Sequence, residues 1–434
     1  DAVYVLNAVV EGPDEYLYAG GAFTTVNGVV RNNLAALDAD SLSPTYGEAL
    51  AWNPGADGVV YAMAMDAAGG TVFVGGMFSE VSATAASRIA AIDTVDHTNV
   101  LWASPSVNGT VRTLELNPFG SLLYAGGEFT VIDGQGRNYI AALNVGSGAV
   151  EPWNPNANAP VNTLAATDLV VYAGGEFTSI GGQSRNYLAA LNVLGNANAF
   201  VVPANYPVHS LALTSTYDRL YVGGEFTTIG GQPRNRLAAV DTALPGAVLP
   251  WTDLGCNGTV ECMLLDEGKE TLWVGGNFVS PLLRLAAIDL NPGRFGNLAA
   301  WDPRADNPVY GFGQSASGTS IYAGGAFATF GGNAFSGSGG HSRSYLGHFV
   351  LRPVITLLGS NPVTLECSVD TYVEPGYTAV DAAGNDLTPL VVVGGDVVNP
   401  NVVGVYSITY DVIGGGGNPA IQVVRTVNVV DTLP

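Results

Sequence analysis

The residues of this chain that could carry chemistry begin with three glutamates. Glu128, Glu176 and Glu225 each stand between a Gly-Gly pair and a phenylalanine, in successive copies of one short motif. Carboxylates at equivalent places either pair with cations or lie together as an acidic patch. Two carboxyl groups that flank a glycosidic bond are the machinery of sugar hydrolysis. We expect no clustered carboxylates with a raised pKa at the centre of the molecule, so no catalytic residue is predicted.

One arginine follows each copy of the same motif, after a glycine-rich turn. One interpretation is a ring of guanidinium groups that meets an anionic ligand. The other is one structural arginine per repeat, which forks onto carbonyl or carboxylate oxygens, and recurrence in every unit favours it. Ala22, Met77, Asn277 and Ala326 replace the glutamates in the other copies, so pairing with glutamate is not required throughout. The seven are Arg31, Arg88, Arg137, Arg185, Arg234, Arg284 and Arg343.

Metal and cofactor sites have little support in the sequence. The four histidines, which lack the spacing of zinc ligands, are His97, His209, His341 and His348. Asp381, Asn385 and Asp386 form an oxygen-rich turn that is compatible with Ca²⁺, although such side chains build the same turn without a metal. There is no nucleophile elbow, phosphate loop or dinucleotide fingerprint. We predict no cofactor beyond calcium at that turn, and no enzyme activity.

Cysteines and glycosylation sequences bear on the cell compartment. Cys256 and Cys262 flank a turn. They either close a small disulfide or are two unrelated small residues, and the distance and orientation of the two side chains decide between these alternatives. Cys367 is expected to behave as a buried apolar residue. Asn108 and Asn257 each begin an Asn-Gly-Thr acceptor sequence, which matters on a glycosylating secretory route.

The composition restricts the partners. The chain has 434 residues and a net charge of −22, so nucleic acid and anionic membrane surfaces are unfavourable partners. No apolar run approaches the ~18–20 residues of a spanning helix. The chain starts at Asp1 without a basic-then-apolar leader, as in a processed secreted protein or a chain cut at this point. We predict an extracellular or cell-surface protein whose partners are other copies of itself or cell-surface components.

A motif that recurs seven times positions these side chains. It reads aromatic, small, Gly-Gly, any residue, Phe, and its first glycines are separated by 55, 51, 48, 49, 52 and 49 residues. Such a fixed period indicates a repeat architecture. Glycine inside a strand marks a bulge or a close backbone approach, so something is predicted to pack against each pair. The pairs are Gly20 and Gly21, Gly75 and Gly76, Gly126 and Gly127, Gly174 and Gly175, Gly223 and Gly224, Gly275 and Gly276, and Gly324 and Gly325.

Each repeat is predicted to form four short strands. An alternating apolar stretch precedes the motif, the motif is itself a strand, a Leu-Ala-Ala-Leu-Asp type of strand follows, and a short tryptophan strand ends most units. Seven such units without a helical period predict an all-β protein in which residues 1–351 form a seven-bladed β-propeller, because blades bury their sheet faces by stacking in a ring. An open β-solenoid is disfavoured, since its rungs are usually shorter than ~50 residues and its ends need caps.

These motifs resemble the delta-sixty propeller repeats, which are widespread in bacterial and archaeal surface proteins. The shared pattern is aromatic-x-Gly-Gly-x-Phe, a glycine turn, Arg-Asn, then Leu-Ala-x-Leu-Asn, as in residues 124–144. The resemblance covers roughly residues 1–350. It implies a propeller within a large secreted protein, and it implies no enzyme activity.

From about residue 352 the repeat stops. Valine-rich runs separated by turns indicate a small β-sandwich over residues 352–434. The pattern that runs from Tyr372-x-Glu-Pro-Gly-Tyr to Gly404-x-Tyr-x-Ile-Thr-Tyr410 resembles the immunoglobulin-like modules of bacterial surface proteins. That resemblance implies an immunoglobulin-like spacer or stalk unit.

The seventh repeat lacks the tryptophan strand and passes from Phe349-Val-Leu into Arg352-Pro353. Its blade is therefore predicted to expose an edge that recruits another strand, unless the insertion at 331–342 covers it. The function expected from these features is a non-enzymatic extracellular structural or adhesive protein, self-assembling into a filament or sheath through strand complementation at blade seven. The alternative is a glycan- or peptide-binding propeller module of a larger secreted protein, and a polysaccharide hydrolase or lyase is less favoured.

Overall fold

The computed structural model is built almost entirely from β-strands and divides into two compact units. One holds the glycine-motif repeats up to His348, and the other is built mainly from Phe349–Pro434. The predicted boundary after residue 351 stays a prediction. The structure describes residues 2–11, 14–40, 43–104, 106–251, 254–280, 283–291, 295–298, 305–315, 320–328, 346–350, 353–380, 386–413, 420 and 422–432.

Seven antiparallel sheets of three or four strands, the blades, make up the repeat unit within these described ranges. The innermost strands are Ala2–Glu11, Val60–Met65, Val111–Leu116, Val161–Ala166, Val208–Leu213, Val260–Asp266 and Val309–Gln314. The second strands are Asp14–Ala22, Thr71–Gly76, Leu122–Gly127, Val170–Gly175, Arg219–Gly224, Thr271–Gly276 and Ser320–Gly325. The third strands are Leu34–Asp38, Ile89–Asp93, Ile140–Asn144, Leu188–Asn192, Leu237–Asp241, Leu285–Asp289 and Leu346–Val350.

The outer edges of the blades are shorter than predicted. Blades two, five and six have a fourth strand, at Val100–Ala103, Ala247–Val248 and Asn297–Leu298. In blades one, three and four a single bridge takes its place, to Ala49, Val150 and Ala197. The turn of blade six contains a 3₁₀ helix, Glu267–Lys269. Two-residue ladders between the second and third strands are Thr25–Val26 with Val29–Val30, Glu80–Val81 with Thr84–Ala85, Val131–Ile132 with Gln135–Gly136, Ser179–Ile180 with Gln183–Ser184, and Thr228–Ile229 with Gln232–Pro233.

The first glycine of each motif packs against the next blade. A Cβ placed on it would lie 2.5 to 2.8 Å from the Cγ1 of the valine in the innermost strand of the following blade. The contact passes from Gly20 to Val60 and so on around the molecule, until Gly324 meets Val3 of the first blade. The ring therefore closes between blades seven and one by side-chain packing, and the predicted seven-bladed propeller is confirmed.

The second glycine of each motif packs against its own blade. A Cβ on Gly127 would overlap the Thr110 carbonyl oxygen and lie 3.0 Å from the Val111 Cα. The same overlap recurs at each second glycine, and in all seven described innermost strands the register shifts by one residue at this point. A register shift of this kind is a β-bulge, in which the extra residue is turned away from the ladder. The predicted backbone approach is thus explained by two different neighbours.

The tryptophans of the outer segments join neighbouring blades, as their recurrence suggests. The Trp52 indole donates a hydrogen bond to the Asp93 carbonyl of blade two at 3.1 Å, and the Trp153 indole donates to the Asn192 carbonyl of blade four at 3.1 Å. Both rings are buried. These side chains therefore serve packing between blades and leave no aromatic platform there for a ligand.

The seven arginines are not equivalent, which corrects the sequence interpretation. Arg31, Arg137, Arg185 and Arg234 lie three residues before the third strand, and their guanidinium groups donate to backbone carbonyls of their own blade. Ala86 takes that place in blade two, because its amide makes the equivalent bond to Ser79. Arg88 and Arg284 come directly before the third strand, at a left-handed backbone position. Arg343 lies outside the described residues.

The second unit holds a two-stranded and a four-stranded sheet. In the larger sheet the strand Val423–Val430 lies between a parallel neighbour and an antiparallel neighbour. The fully buried Arg425 on that central strand donates hydrogen bonds to the carbonyls of Leu358, Ser360 and Gly376 and pairs with Glu374. The strands are Val354–Leu357 with Tyr377–Val380, and Val363–Glu366, Val423–Val430, Gly404–Asp411 and Val392–Gly395, and a 3₁₀ helix spans Thr388–Leu390.

The structure bears on the cysteine and calcium interpretations, and it changes the first of them. No disulfide joins Cys256 and Cys262, because the Cys262 Sγ lies in the innermost strand and donates to the Val309 carbonyl at 3.6 Å. Of the calcium candidates, Asp381 and Asn385 lie outside the described residues, and Asp386 accepts the Thr388 amide. No group of three acidic, histidine or cysteine side chains suited to a metal occurs within the described ranges.

Asn108 and Asn257, the glycosylation candidates, are exposed and occupy equivalent positions. The Asn108 side-chain oxygen accepts the amides of Thr130 and Val131, and the Asn257 oxygen accepts those of Val279 and Ser280. Asp57, Asn158 and Asn205 make the same bonds in their own blades. A structural role in the repeat therefore accounts for these asparagines, and their glycosylation stays a prediction.

Candidate ligand-binding site at the channel mouth

The β-bulges turn one side chain from every blade into the same cavity. The bulged residue is the second or third residue of each innermost strand, and it directly follows a valine in all seven. All seven side chains line a cavity of about 440 Å³ at the end of the central channel. A bulge is a means of re-aiming a side chain, so this geometry builds a site on rigid strands. We call these residues the channel-mouth ring: Tyr4, Tyr61, Arg112, Asn162, His209, Glu261 and Tyr310.

One side of the ring is aromatic. The ring centroids of Tyr4 and Tyr61 are 5.0 Å apart, and those of Tyr4 and Tyr310 are 5.2 Å apart. Burial raises the pKa of the Tyr4 hydroxyl, and the neighbouring Tyr61 and Tyr310 add to the rise, so this hydroxyl is uncharged near neutral pH. These three side chains, the tyrosine arc, come from blades one, two and seven and give the cavity an amphipathic wall.

Arg112 is the centre of the opposite side. Its Nη2 pairs with Glu128, and its Nη1 pairs with Glu176 at 2.9 Å and donates to the Asn162 Oδ1 at 2.6 Å. A guanidinium group presents its donors in a fixed planar fork, and here the fork joins blades three and four. Two of the three glutamates singled out in the sequence thus pair with an arginine, but with one from the innermost strand and not with the repeat arginines.

His209 connects the remaining carboxylates. Its Nε2 lies 3.3 Å from the Glu225 Oε1, and its Nδ1 lies 3.9 Å from the Glu261 Oε2. Burial raises the pKa of Glu261, the attraction of His209 opposes that rise, and the charge of Glu225 adds to it. The expectation that no clustered carboxylates with a raised pKa lie at the centre is therefore wrong. The cause is the bulge, which turns Glu261 inward beside the motif position.

Two arginines stand behind the ring on strained backbone. Arg236 and Arg284 have φ values of 68° and directly precede their third strands. The Arg236 Nη1 donates to the Glu225 carbonyl, and the Arg284 Nη1 donates to the Asn277 side chain. Neither side chain lines the cavity. They support the motif residues of blades five and six from outside.

A further carboxyl lies deeper, between blades three and four. Glu115 comes three residues after Arg112 on the same strand, and its Oε1 accepts the Ala166 amide at 3.3 Å. Burial raises the pKa of Glu115 to about 7, although the amide bond opposes the rise. The group therefore carries its proton through most of the weakly acidic range, and it has no part in the channel-mouth ring.

Sequence reasoning found the motif glutamates and missed the ring. The innermost strands were recognised by their alternation, but that pattern predicts a straight strand in which the second residue points away from the core. The available signal was variation between repeats. Valine precedes the position in every blade, while the position itself carries tyrosine, arginine, asparagine, histidine or glutamate. A fixed fold requirement explains the valine, and only a local role explains the variety.

Two parts of the chain match known families. Residues 355–429 match the bacterial surface protein Ig-like domain, and residues 218–238 match a domain of unknown function (DUF5122) beta-propeller. A propeller followed by an Ig-like module is therefore supported, and both matches fit a surface-protein role outside the cell. No curated protein matches the chain. Among the described residues there is no helix of the length and apolarity needed to cross a membrane.

A crystal structure of RRP9 WD40 repeats is similar to this chain, with a TM-score of 0.53. The similarity covers 80% of this chain and 94% of that chain, at 13% sequence identity. At that identity the likeness shows the propeller fold alone, because one fold hosts many unrelated functions.

Proposed function

We propose that this protein is a non-enzymatic extracellular surface protein that binds a ligand, a glycan or a peptide, at the channel mouth of its propeller. The repeats are proposed to be of the delta-sixty type, with the immunoglobulin-like module as a spacer. One observation carries the proposal: seven equivalent bulges aim side chains of five different types into one cavity. Backbone geometry is the same in each blade, so the fold does not dictate these residue types.

Binding is proposed without catalysis. Three of these carboxylates are already engaged, Glu128 and Glu176 by Arg112, and Glu225 by the His209 ring at 3.3 Å. Glu261, 3.9 Å from the same ring, has no second carboxylate free to act with it. A general acid must instead lie within hydrogen-bond reach of the substrate atom that it protonates. Release of reducing ends from a polysaccharide by the wild type, lost in Glu261→Gln, would overturn this part of the proposal.

The binding site is tested on glycan and peptide arrays. We expect a ligand that binds the wild type to bind Tyr61→Ala roughly 30-fold more weakly, because truncating an aromatic anchor costs about 2 kcal/mol. The matched control is Tyr217→Ala. Tyr217 is 39% exposed and lies in the turn between the innermost and second strands of blade five, at the far end of the blade. Equal losses in both variants, or none in Tyr61→Ala, would contradict the proposed site.

Self-assembly is the second candidate, and blade seven favours it. Within the described ranges no strand pairs with the outer edge of Leu346–Val350, whereas the other six blades have a strand or a bridge there. An unpaired edge accepts a strand from another chain. We do not propose the C-terminal strand Val423–Val430 as the strand that is donated, because it is paired on both sides within its own sheet.

Sedimentation velocity over a range of concentrations tests the assembly. We expect species larger than the 44.6 kDa chain that grow with concentration, and end-to-end rows of particles in negative-stain images, because a head-to-tail contact whose rotation does not close into a ring adds subunits without limit. A single species of the monomer mass at every concentration would remove this candidate and leave the binding proposal intact.

A further inference from the structure

We propose that the channel-mouth cavity accepts a positively charged group of the ligand, an ammonium or a guanidinium, between the Glu261 carboxylate and the tyrosine arc. This inference rests on the proposed function of the cavity as a ligand site, and it names the chemistry of the part of the ligand that enters.

The guanidinium group in the cavity is already engaged. Arg112 uses Nη1 and Nη2 on Glu128, Glu176 and Asn162, and its side chain is 33% exposed. An anionic ligand would have to displace two carboxylates to reach it. Charge-assisted pairs of this kind are strong, so Arg112 and its partners form a closed cluster that carries one net negative charge.

Glu261 is in the opposite condition. Within the described residues its ion partner is His209, at 3.9 Å, and His209 lies closer to Glu225, at 3.3 Å. The Glu261 side chain is 29% exposed and lines the cavity. Removing a carboxylate from water without a close cation is unfavourable. A cation in the cavity would therefore gain more from Glu261 than from any other group of the ring.

The tyrosine arc completes the cation site. Tyr310 stands on the next innermost strand after Glu261. Burial and the Glu261 charge raise the pKa of its hydroxyl, and the charge of Arg284 opposes that rise, so Glu261 and Arg284 are both electrostatic neighbours of Tyr310. Tyrosine rings attract cations through their faces, and the attraction is stronger where the cation is desolvated. The motif positions of blades one and seven carry the small Ala22 and Ala326, and the Met77 side chain of blade two also lines the cavity.

The arginines behind the ring do not cancel this preference. Arg284 and Arg236 direct their Nη1 groups to Asn277 and to the Glu225 carbonyl, and both stand outside the cavity lining. The lining itself holds two carboxylates, Glu128 and Glu261, against the one guanidinium of Arg112.

Calorimetric titration of the full chain with small probes tests the inference. The cationic probes are the Nα-acetyl amides of lysine and arginine, and glucosamine; the neutral ones are Nα-acetyl-norleucine amide and N-acetylglucosamine. We expect each cationic probe that binds to do so at least tenfold more tightly than its neutral counterpart. The amino-acid and amino-sugar arms separate a peptide source from a sugar source of the charge.

Two variants give the test its control. Glu261→Gln should reduce binding of the cationic probes about tenfold, while Glu267→Gln, the same change in the turn at the other end of blade six, should leave it unchanged. Thermal unfolding must agree with the wild type in both. If ligands from the arrays bind in a manner that depends on Tyr61, but neutral and cationic probes bind with equal affinity, the inference is overturned and the proposed function is kept. Absence of any binding would overturn both.

Discussion

Replacement of Gly127 by alanine is expected to destabilise the propeller by about 3 kcal/mol, because overpacking forces the backbone to move. The added Cβ would overlap the Thr110 carbonyl oxygen and lie 3.0 Å from the Val111 Cα and 3.1 Å from the Arg112 nitrogen. All three atoms belong to the backbone of the bulge, which cannot rotate aside as a side chain can. Arg112 should move with it, so the ion pairs with Glu128 and Glu176 are lost together with stability.

Gly136→Ala is the matched control in the same blade. Nothing lies within 4 Å of a Cβ at Gly136, and its backbone is outside the left-handed region. We expect a change below about 0.5 kcal/mol for this exposed position. Tryptophan fluorescence in urea measures both variants, since five of the six tryptophans lie in the repeat unit and report on the propeller. Equal midpoints for the two variants would refute the close packing of the second glycine.

Glu374→Gln is expected to cost the immunoglobulin-like unit about 3 kcal/mol. The change leaves the fully buried Arg425 without its counter-ion, and removing one partner of a buried pair is strongly destabilising. The readout is the unfolding of this unit by far-UV circular dichroism in urea. Residues 349–434 contain no tryptophan, and five of the six tryptophans lie in the repeat unit. The tryptophan transition should therefore stay at its wild-type midpoint and serves as an internal control.

Tyr372→Phe is the milder variant for comparison. It removes one hydrogen bond to Glu374 and leaves the Tyr410 bond at 2.6 Å and the ion pair in place. The expected loss is about 1 kcal/mol. If the tyrosine variant were as destabilised as Glu374→Gln, the hydrogen bonds and not the charge pair would hold this part of the sandwich.

The same carboxylate sets an acid limit for the unit. Burial by itself would raise the pKa of Glu374, but hydrogen bonds from Tyr372, Tyr410 and the Gly376 amide, with the charge of Arg425, lower it below its usual value. The stabilisation is therefore complete above the ordinary glutamate pKa and is lost as the pH falls through the folded-state pKa. Glu374→Gln should lose this part of the acid sensitivity, which urea midpoints at several pH values would reveal.

The ring architecture could be predicted because the glycine-pair motif recurs seven times in the sequence. One glycine pair would suggest only a bulge or a close approach, but seven at a period near fifty residues require a common neighbour in every unit. The sequence did not say that the two glycines have different neighbours, Val161 of the next blade for Gly126 and Thr110 of the same blade for Gly127. That distinction depends on how sheets stack, and spacing along the chain does not encode stacking.

The site could be predicted only in part. Glu128, Glu176 and Glu225 were visible because they stand inside the motif, whereas Glu261 and His209 lie in strands whose alternation hides the bulge. The prediction that the seven arginines are equivalent was wrong for a related reason. Arg88 was aligned with Arg137 by type, although the first lies one residue and the second three residues before its third strand. A displacement of two residues keeps the strand pattern and changes every contact.

The bulge that repeats around the propeller separates recognition from architecture. Each blade contributes one variable residue to the ring of seven, whereas the valine before it and the glycines beside it are the same in every blade. A mutation at one of these variable positions changes the lining of the cavity and leaves the propeller fold unchanged. Paralogous propellers built on these repeats would then diverge in what they recognise one blade at a time, with each intermediate still a closed ring.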